Sequence, residues 1–199
     1  LRTDAERDAL LRWVSRRRRG PALIATCRTQ SGGGRFRGSS EAELKILSQA
    51  ARAGCSWCDV EIETAERFTP AALRKALAPA RVLISAHDFR GMPSDVGRLL
   101  ARLKRCGADA VKIAATCDTL GDVRRLLGPL RRRRDLVAIP MGDTGEAARI
   151  LALREGSALA YASMTQAVAP GQLTLEAMRQ TFQLARRFGG SASGMTRRT

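Results

Sequence analysis

Aromatic side chains are scarce in this sequence. Phe, Trp and Tyr make up 4% of 199 residues, although 44% are hydrophobic. A core with so few rings must be filled by Ala, Leu, Val and Ile, as in parallel sheets covered by helices on both faces. No apolar run approaches the roughly 18 residues of a membrane span. The N-terminal residues are polar and lack the apolar stretch of a secretory signal. Both absences point to a cytoplasmic protein with no membrane partner. A disulfide framework is disfavoured too, because the five cysteines are odd in number and no signal is visible. Cys55-Ser56-Trp57-Cys58 has CxxC spacing but no second pair and no nearby histidine. These are read as packed thiols, and no metal site is expected.

Lysine is rare as well. The formal charge is +16, yet only four of the 35 basic residues are lysine: Lys45, Lys75, Lys104 and Lys112. So strong a bias to arginine reflects genome composition as much as phosphate binding. The arginine runs 16–19 and 131–134 each close a predicted helix, where a cation complements the helix dipole by about 0.3–1 kcal/mol. No nucleic-acid partner is expected, although a basic surface would attract anionic small molecules.

What the sequence does contain is alternation. Short apolar runs at 22–27, 58–62, 82–86, 110–114, 136–139 and 158–161 read as strands. Between and around them, amphipathic stretches at 4–17, 41–53, 70–78, 93–106, 119–130, 144–154 and 173–187 read as helices. Repeated βα units predict an α/β fold with a parallel sheet. No Gly-rich phosphate fingerprint follows the first strand, so a (β/α)8 TIM barrel is favoured over a Rossmann fold. Six strands do not close such a barrel. Sequence upstream of Leu1 is therefore expected, supplying the first strand and helix and most of the second strand. The partial barrel domain is assigned to 1–188, and the small, polar, basic stretch 189–199 to a disordered tail or linker.

In a barrel the active site lies at the C-terminal ends of the strands. Lys112 sits inside an apolar strand, with Ala110 and Ala114 on its own face and Val111 and Ile113 on the other. A buried cation is expensive unless used, and only a primary amine forms an imine with a ketone. At an ordinary pKa near 10.4 about one amine in 2,500 is neutral at pH 7; burial and nearby cations raise that fraction. The other reading is a lysine that reaches solvent along the strand or pairs with a carboxylate such as Asp59. His87, the only histidine, ends the preceding strand and can take and return a proton near neutrality. Arg28 and Arg149 follow strands on either side in sequence, where a guanidinium could grip a carboxylate.

Together these residues resemble the type I 3-dehydroquinate dehydratases of the shikimate pathway. The likeness runs through Thr26-Cys27-Arg28-Thr29, Gly33-Gly34-Arg35-Phe36, Asp59-Val60-Glu61, Ser85-Ala86-His87-Asp88-Phe89, the run from Gly107 to Ala114, Met141-Gly142 with Arg149, and Ala169-Pro170-Gly171-Gln172. It implies a lyase in aromatic amino acid biosynthesis that needs no cofactor. Lys112 would form an imine with the C3 ketone of 3-dehydroquinate. His87 would remove the C2 proton and protonate the departing C1 hydroxyl. Arg149 would hold the substrate carboxylate, Arg28, Arg2 and Gln172 would contact the rest of the substrate, and Met141 and Phe89 would form apolar walls. A homodimer and a shikimate dehydrogenase domain after the C-terminus are the further partners the resemblance implies.

Two positions depart from the pattern. Gly32 stands where the family often has Glu, removing a carboxylate that helps position His87 and leaving Asp59 as its stand-in. Val168 stands where relatives often carry Ser and cannot hydrogen-bond a substrate hydroxyl. These changes keep open a lysine-imine, aldolase-like lyase acting on another ketone, while the net charge and the incomplete barrel keep open a non-catalytic basic binding domain.

Overall fold

The computed structural model describes residues 3–165 and 172–188. Helix α1 (Asp4–Arg16) starts at a capping box, with the Thr3 hydroxyl accepting from the Glu6 amide and the Glu6 carboxylate accepting from the Thr3 amide. Strand β1 (Ile24–Thr26) is followed by a loop and by α2 (Ser40–Ala53), which Ser39 caps and left-handed Gly54 terminates. Then come β2 (Trp57–Glu61), the single turn α3 (Ile62–Ala65), and α4 (Pro70–Leu77) with Pro70 in its first turn. The remaining units are β3 (Arg81–Asp88) with α5 (Val96–Arg105), β4 (Ala110–Thr116) with α6 (Leu120–Leu127), β5 (Leu136–Met141) with α7 (Asp143–Arg154), and finally α8 (Leu175–Phe188).

The five strands are parallel and lie in sequence order, each bonded to the next. Strand alternation divides the sheet into two faces. Val60, Ile84, Val111, Ile113 and Leu136 point one way and pack with helix residues such as Leu47, Leu73, Leu103 and Leu126 in the main core. Leu83, Ala110, Ala114, Val137, Ile139 and Met141 form a smaller cluster on the opposite face. This is a sector of a (β/α)-barrel wall, with helices outside and the second cluster within.

Register then decides which residues share a row on the inner face. Glu61 pairs with Ser85, Ser85 with Lys112, and Lys112 with Val137. One row nearer the N-terminal end, Asp59 pairs with Leu83 and Leu83 with Ala110; one row nearer the C-terminal end, His87 pairs with Ala114.

Three sequence expectations need correction. The segment 158–161 is not a strand, although the Ala158 amide reaches the Leu136 carbonyl at 2.9 Å as a first ladder bond would. The Ser157 hydroxyl accepts the Ala138 amide at 3.1 Å and donates to the Leu159 carbonyl at 2.9 Å, so a side chain takes the place of the next backbone partner. Helix α5 begins three residues later than position 93, because the Asp95 carboxylate accepts the Arg98 amide and sets the cap there. Helix α6 gives way to a 3-10 turn at Gly128–Arg132, where Pro129 has no amide to continue the α-helical bonding. The single turn α3 had no counterpart in the sequence pattern.

Among the described residues no helix is long and apolar enough to cross a membrane. All five cysteines are free thiols, and Cys55, Cys58, Cys106 and Cys117 are buried. Cys58 donates to the Leu47 carbonyl, and burial pushes its thiol up to about 12, as a packed, unreactive cysteine requires. The arginine-rich 3-10 turn lies at the surface, where Arg131 pairs with Glu155 at 2.6 Å. The expected tail 189–199 lies outside the described residues.

Candidate active site

The inner face is apolar except for one polar cluster. Lys112, near the middle of β4, is 4% exposed, and its Nζ donates to Asp59 Oδ2 at 3.0 Å. The same nitrogen lies 4.6 Å from the centroid of the Tyr161 ring, a cation–π contact. Burial pushes the Lys112 pKa down; Asp59 opposes that, and the Arg28 guanidinium adds to it. For Asp59, burial alone would raise the pKa. Lys112, Arg28 and the Ser85 hydroxyl together outweigh it and hold the carboxylate below its usual range. Asp59 is thus an anion bridging two cations, with Ser85 Oγ donating to its second oxygen at 2.5 Å.

Arg28 enters from the loop after β1. Its Nη2 donates to Asp59 Oδ2 at 2.6 Å, and its Nη1 to Glu61 Oε1 at 2.9 Å and Ser85 Oγ at 3.0 Å. Nη1 also lies 3.3 Å from His87 Nδ1. Glu61 is anchored on its other oxygen by the Thr29 hydroxyl. His87 is largely buried, and its pKa falls to about 3, chiefly by desolvation and then by the Arg28 and Lys112 charges. Phe89 stacks beyond it, ring centroids 6.2 Å apart and 12° from parallel.

Of the residues singled out in the sequence, Arg28, Asp59, His87, Phe89 and Lys112 therefore meet in one cluster. Met141 ends β5 in the inner apolar group with Ala114. Arg149 is buried on α7, its Nε donating to the Pro140 carbonyl at 3.2 Å. Gln172 precedes α8 and is partly buried. Arg2, and Val168 with the Ala169-Pro170-Gly171 segment, lie outside the described residues.

The carboxylate beside Gly32 is that of Glu61, and Asp59 is joined to His87 through Arg28, which contacts both. A Cβ on Gly32 would lie 1.8 Å from Glu61 Oε1 and 2.8 Å from Arg28 Cδ. Sequence reasoning also missed Ser85 and Tyr161 as site residues. Ser85 could have been found from its alternation phase, two residues before His87. Tyr161 is the only tyrosine in the chain, but it sits in a segment misread as a strand. Its hydroxyl is buried with no hydrogen-bond partner among the described residues, and burial pushes its pKa up to about 12.

A buried amine, a carboxylate that orients it and a neutral imidazole one strand away suit proton transfer next to a carbonyl held by the amine. Comparison with known proteins gives this geometry a family. The family model for type I 3-dehydroquinase matches residues 3–188. The chain belongs to that family. It is 34% identical over 164 residues to a 3-dehydroquinate dehydratase of Methanococcoides burtonii, covering 81% of this chain and 70% of the relative. A bifunctional 3-dehydroquinate dehydratase/shikimate dehydrogenase of Arabidopsis thaliana is 29% identical over 171 residues, 83% of this chain but 28% of that protein. Among solved structures, the 3-dehydroquinate dehydratase of Geobacillus kaustophilus superposes with a TM-score of 0.74 at 27% identity, covering 84% of this chain and 68% of that one. The parallel α/β sector is thus the barrel architecture of the family.

Proposed function

We propose that this chain dehydrates 3-dehydroquinate to 3-dehydroshikimate through an imine on Lys112. The observation that carries the proposal is the placement of Lys112 Nζ, buried on the inner face of a type I 3-dehydroquinase sheet in contact with Asp59 and the Tyr161 ring. The neutral amine attacks the C3 ketone, and loss of water with uptake of one proton from solvent, returned when the imine is later hydrolysed, gives a protonated imine. His87 takes the C2 proton, and the C–H electron pair moves toward the iminium, which becomes an enamine. The enamine pair then expels the C1 hydroxyl, which leaves as water with the proton carried by His87. Hydrolysis of the imine releases the product and restores the amine, so the net change is loss of one water.

Asp59 keeps the lysine on the inner face throughout. The depressed amine pKa raises the neutral fraction available for attack. Arg149, Gln172 and Arg2 are assigned the substrate carboxylate and hydroxyls, with Met141 and Phe89 as apolar walls.

Borohydride reduction during turnover tests this directly. With 3-dehydroquinate present, the expected result is a stable mass adduct on Lys112 and loss of activity. An adduct formed only with a different ketone would assign the site to another lyase reaction. No adduct with any ketone would leave a non-catalytic basic domain.

A further inference from the structure

The contact between Arg28 and His87 determines more than distance. A guanidinium has five N–H donors and no acceptor. At 3.3 Å from Arg28 Nη1, His87 Nδ1 must therefore present its lone pair, since an Nδ1–H would point at another N–H. Arg28 cannot turn away easily, because Asp59 and Glu61 hold both of its terminal nitrogens by ion pairs of 2.6 and 2.9 Å. Gly32 makes room for this clamp by leaving the space that the Glu61 carboxylate occupies.

We propose that Arg28 is a positioning residue that fixes the tautomer of His87, placing the single ring proton of the ligand-free protein on Nε2. The low pKa of His87 agrees with a ring that stays neutral beside two cations. Its catalytic consequence rests on the dehydratase reading. A neutral imidazole that offers Nε2–H meets the substrate as a hydrogen-bond donor, able to polarise a carbonyl as the amine attacks. To take the C2 proton, Nε2 must first pass its own proton to water while Nδ1 takes one from water, a change of tautomer with no net transfer. Nδ1 can hold a proton only after the guanidinium has swung off it. Arg28 therefore separates an electrophilic first step from a basic second one, and a ligand that draws the guanidinium away converts one into the other.

The chain has a single histidine, so the imidazole signals of protein labelled with 15N-histidine report His87 alone. In the ligand-free protein at pH 7, long-range 1H–15N correlations should show a protonated Nε2 and an unprotonated Nδ1. A protonated Nδ1, or a doubly protonated ring, overturns the proposal without any variant having to fold. Arg28→Met should bring the two nitrogen shifts together, as exchange between tautomers averages them; an unchanged Nε2–H pattern in that folded variant would also overturn it. Gly32→Ala, which alters no charge, should move the pattern the same way by displacing Glu61 and the Arg28 side chain. None of these spectra depends on turnover. Failure to trap an imine would sink the dehydratase reading and leave the tautomer assignment standing, and the converse holds equally.

Discussion

Lys112 and Arg28 share one carboxylate, so Asp59 is where charge removal should cost most. Asp59→Asn leaves the buried Lys112 and the partly buried Arg28 facing a neutral amide. Breaking a buried pair from one side typically costs about 3–5 kcal/mol, and urea unfolding at pH 7 should show a loss of that order. Two other side chains link stability to pH with opposite signs. His87 has its folded pKa depressed to about 3, so its contribution is complete above about 6.5 and is lost as pH falls toward 3. Glu43 on α2 is 0% exposed, and burial raises its pKa to about 7, so its contribution is complete below its unfolded value and is lost as pH rises through 7. Each is worth up to about 1.4 kcal/mol per pH unit, and they oppose one another between about pH 4.5 and 6.5. His87→Gln should therefore expose a downward trend in the urea midpoint with rising pH across that window; a level profile in the variant would show that Glu43 does not titrate as described. Lys112 was legible in the sequence because a cation interrupting an apolar strand needs a reason. Glu43 was not, because an acid in the first turn of an amphipathic helix looks like a solvated partner of the helix dipole.

Strands β3, β4 and β5 were legible as elements because apolar side chains lie on both of their faces, and the structure extends each by one or more residues at the C-terminal end. The failure at 158–161 has a physical cause that no propensity carries, since the ladder beside β5 is continued by the Ser157 hydroxyl instead of by backbone. Ser157→Ala should strand the buried Ala138 amide and cost about 1–3 kcal/mol. The loss would be read in chemical denaturation, with faster hydrogen exchange at Ala138 than at Ile113. The row Glu61, Ser85, Lys112 is likewise a property of register. Each residue is visible in the sequence, but that they face one another follows only once three strands are aligned.

At the scale of the whole molecule, the net charge of +16 on 199 residues sets a field that an anionic substrate enters before it reaches the site. If 3-dehydroquinate is the substrate, kcat/KM should fall as salt rises from about 10 to 150 mM, where the screening length shrinks from about 30 to 8 Å. The turnover number should change little, because the Asp59, Lys112 and Arg28 charges are buried or partly buried beyond the reach of bulk ions. Steady-state rates across that series, with a neutral crowding agent as control, would separate steering from a general salt effect.

A side chain at Gly32 would take the place of the Glu61 carboxylate, since a Cβ there would lie 1.8 Å from Glu61 Oε1. Neither position is free to drift alone. Any lineage that restores a side chain at 32 must shorten or redirect the one at 61, and with it the grip on the loop arginine, so the two sites should change as a pair when close descendants of this sequence are compared.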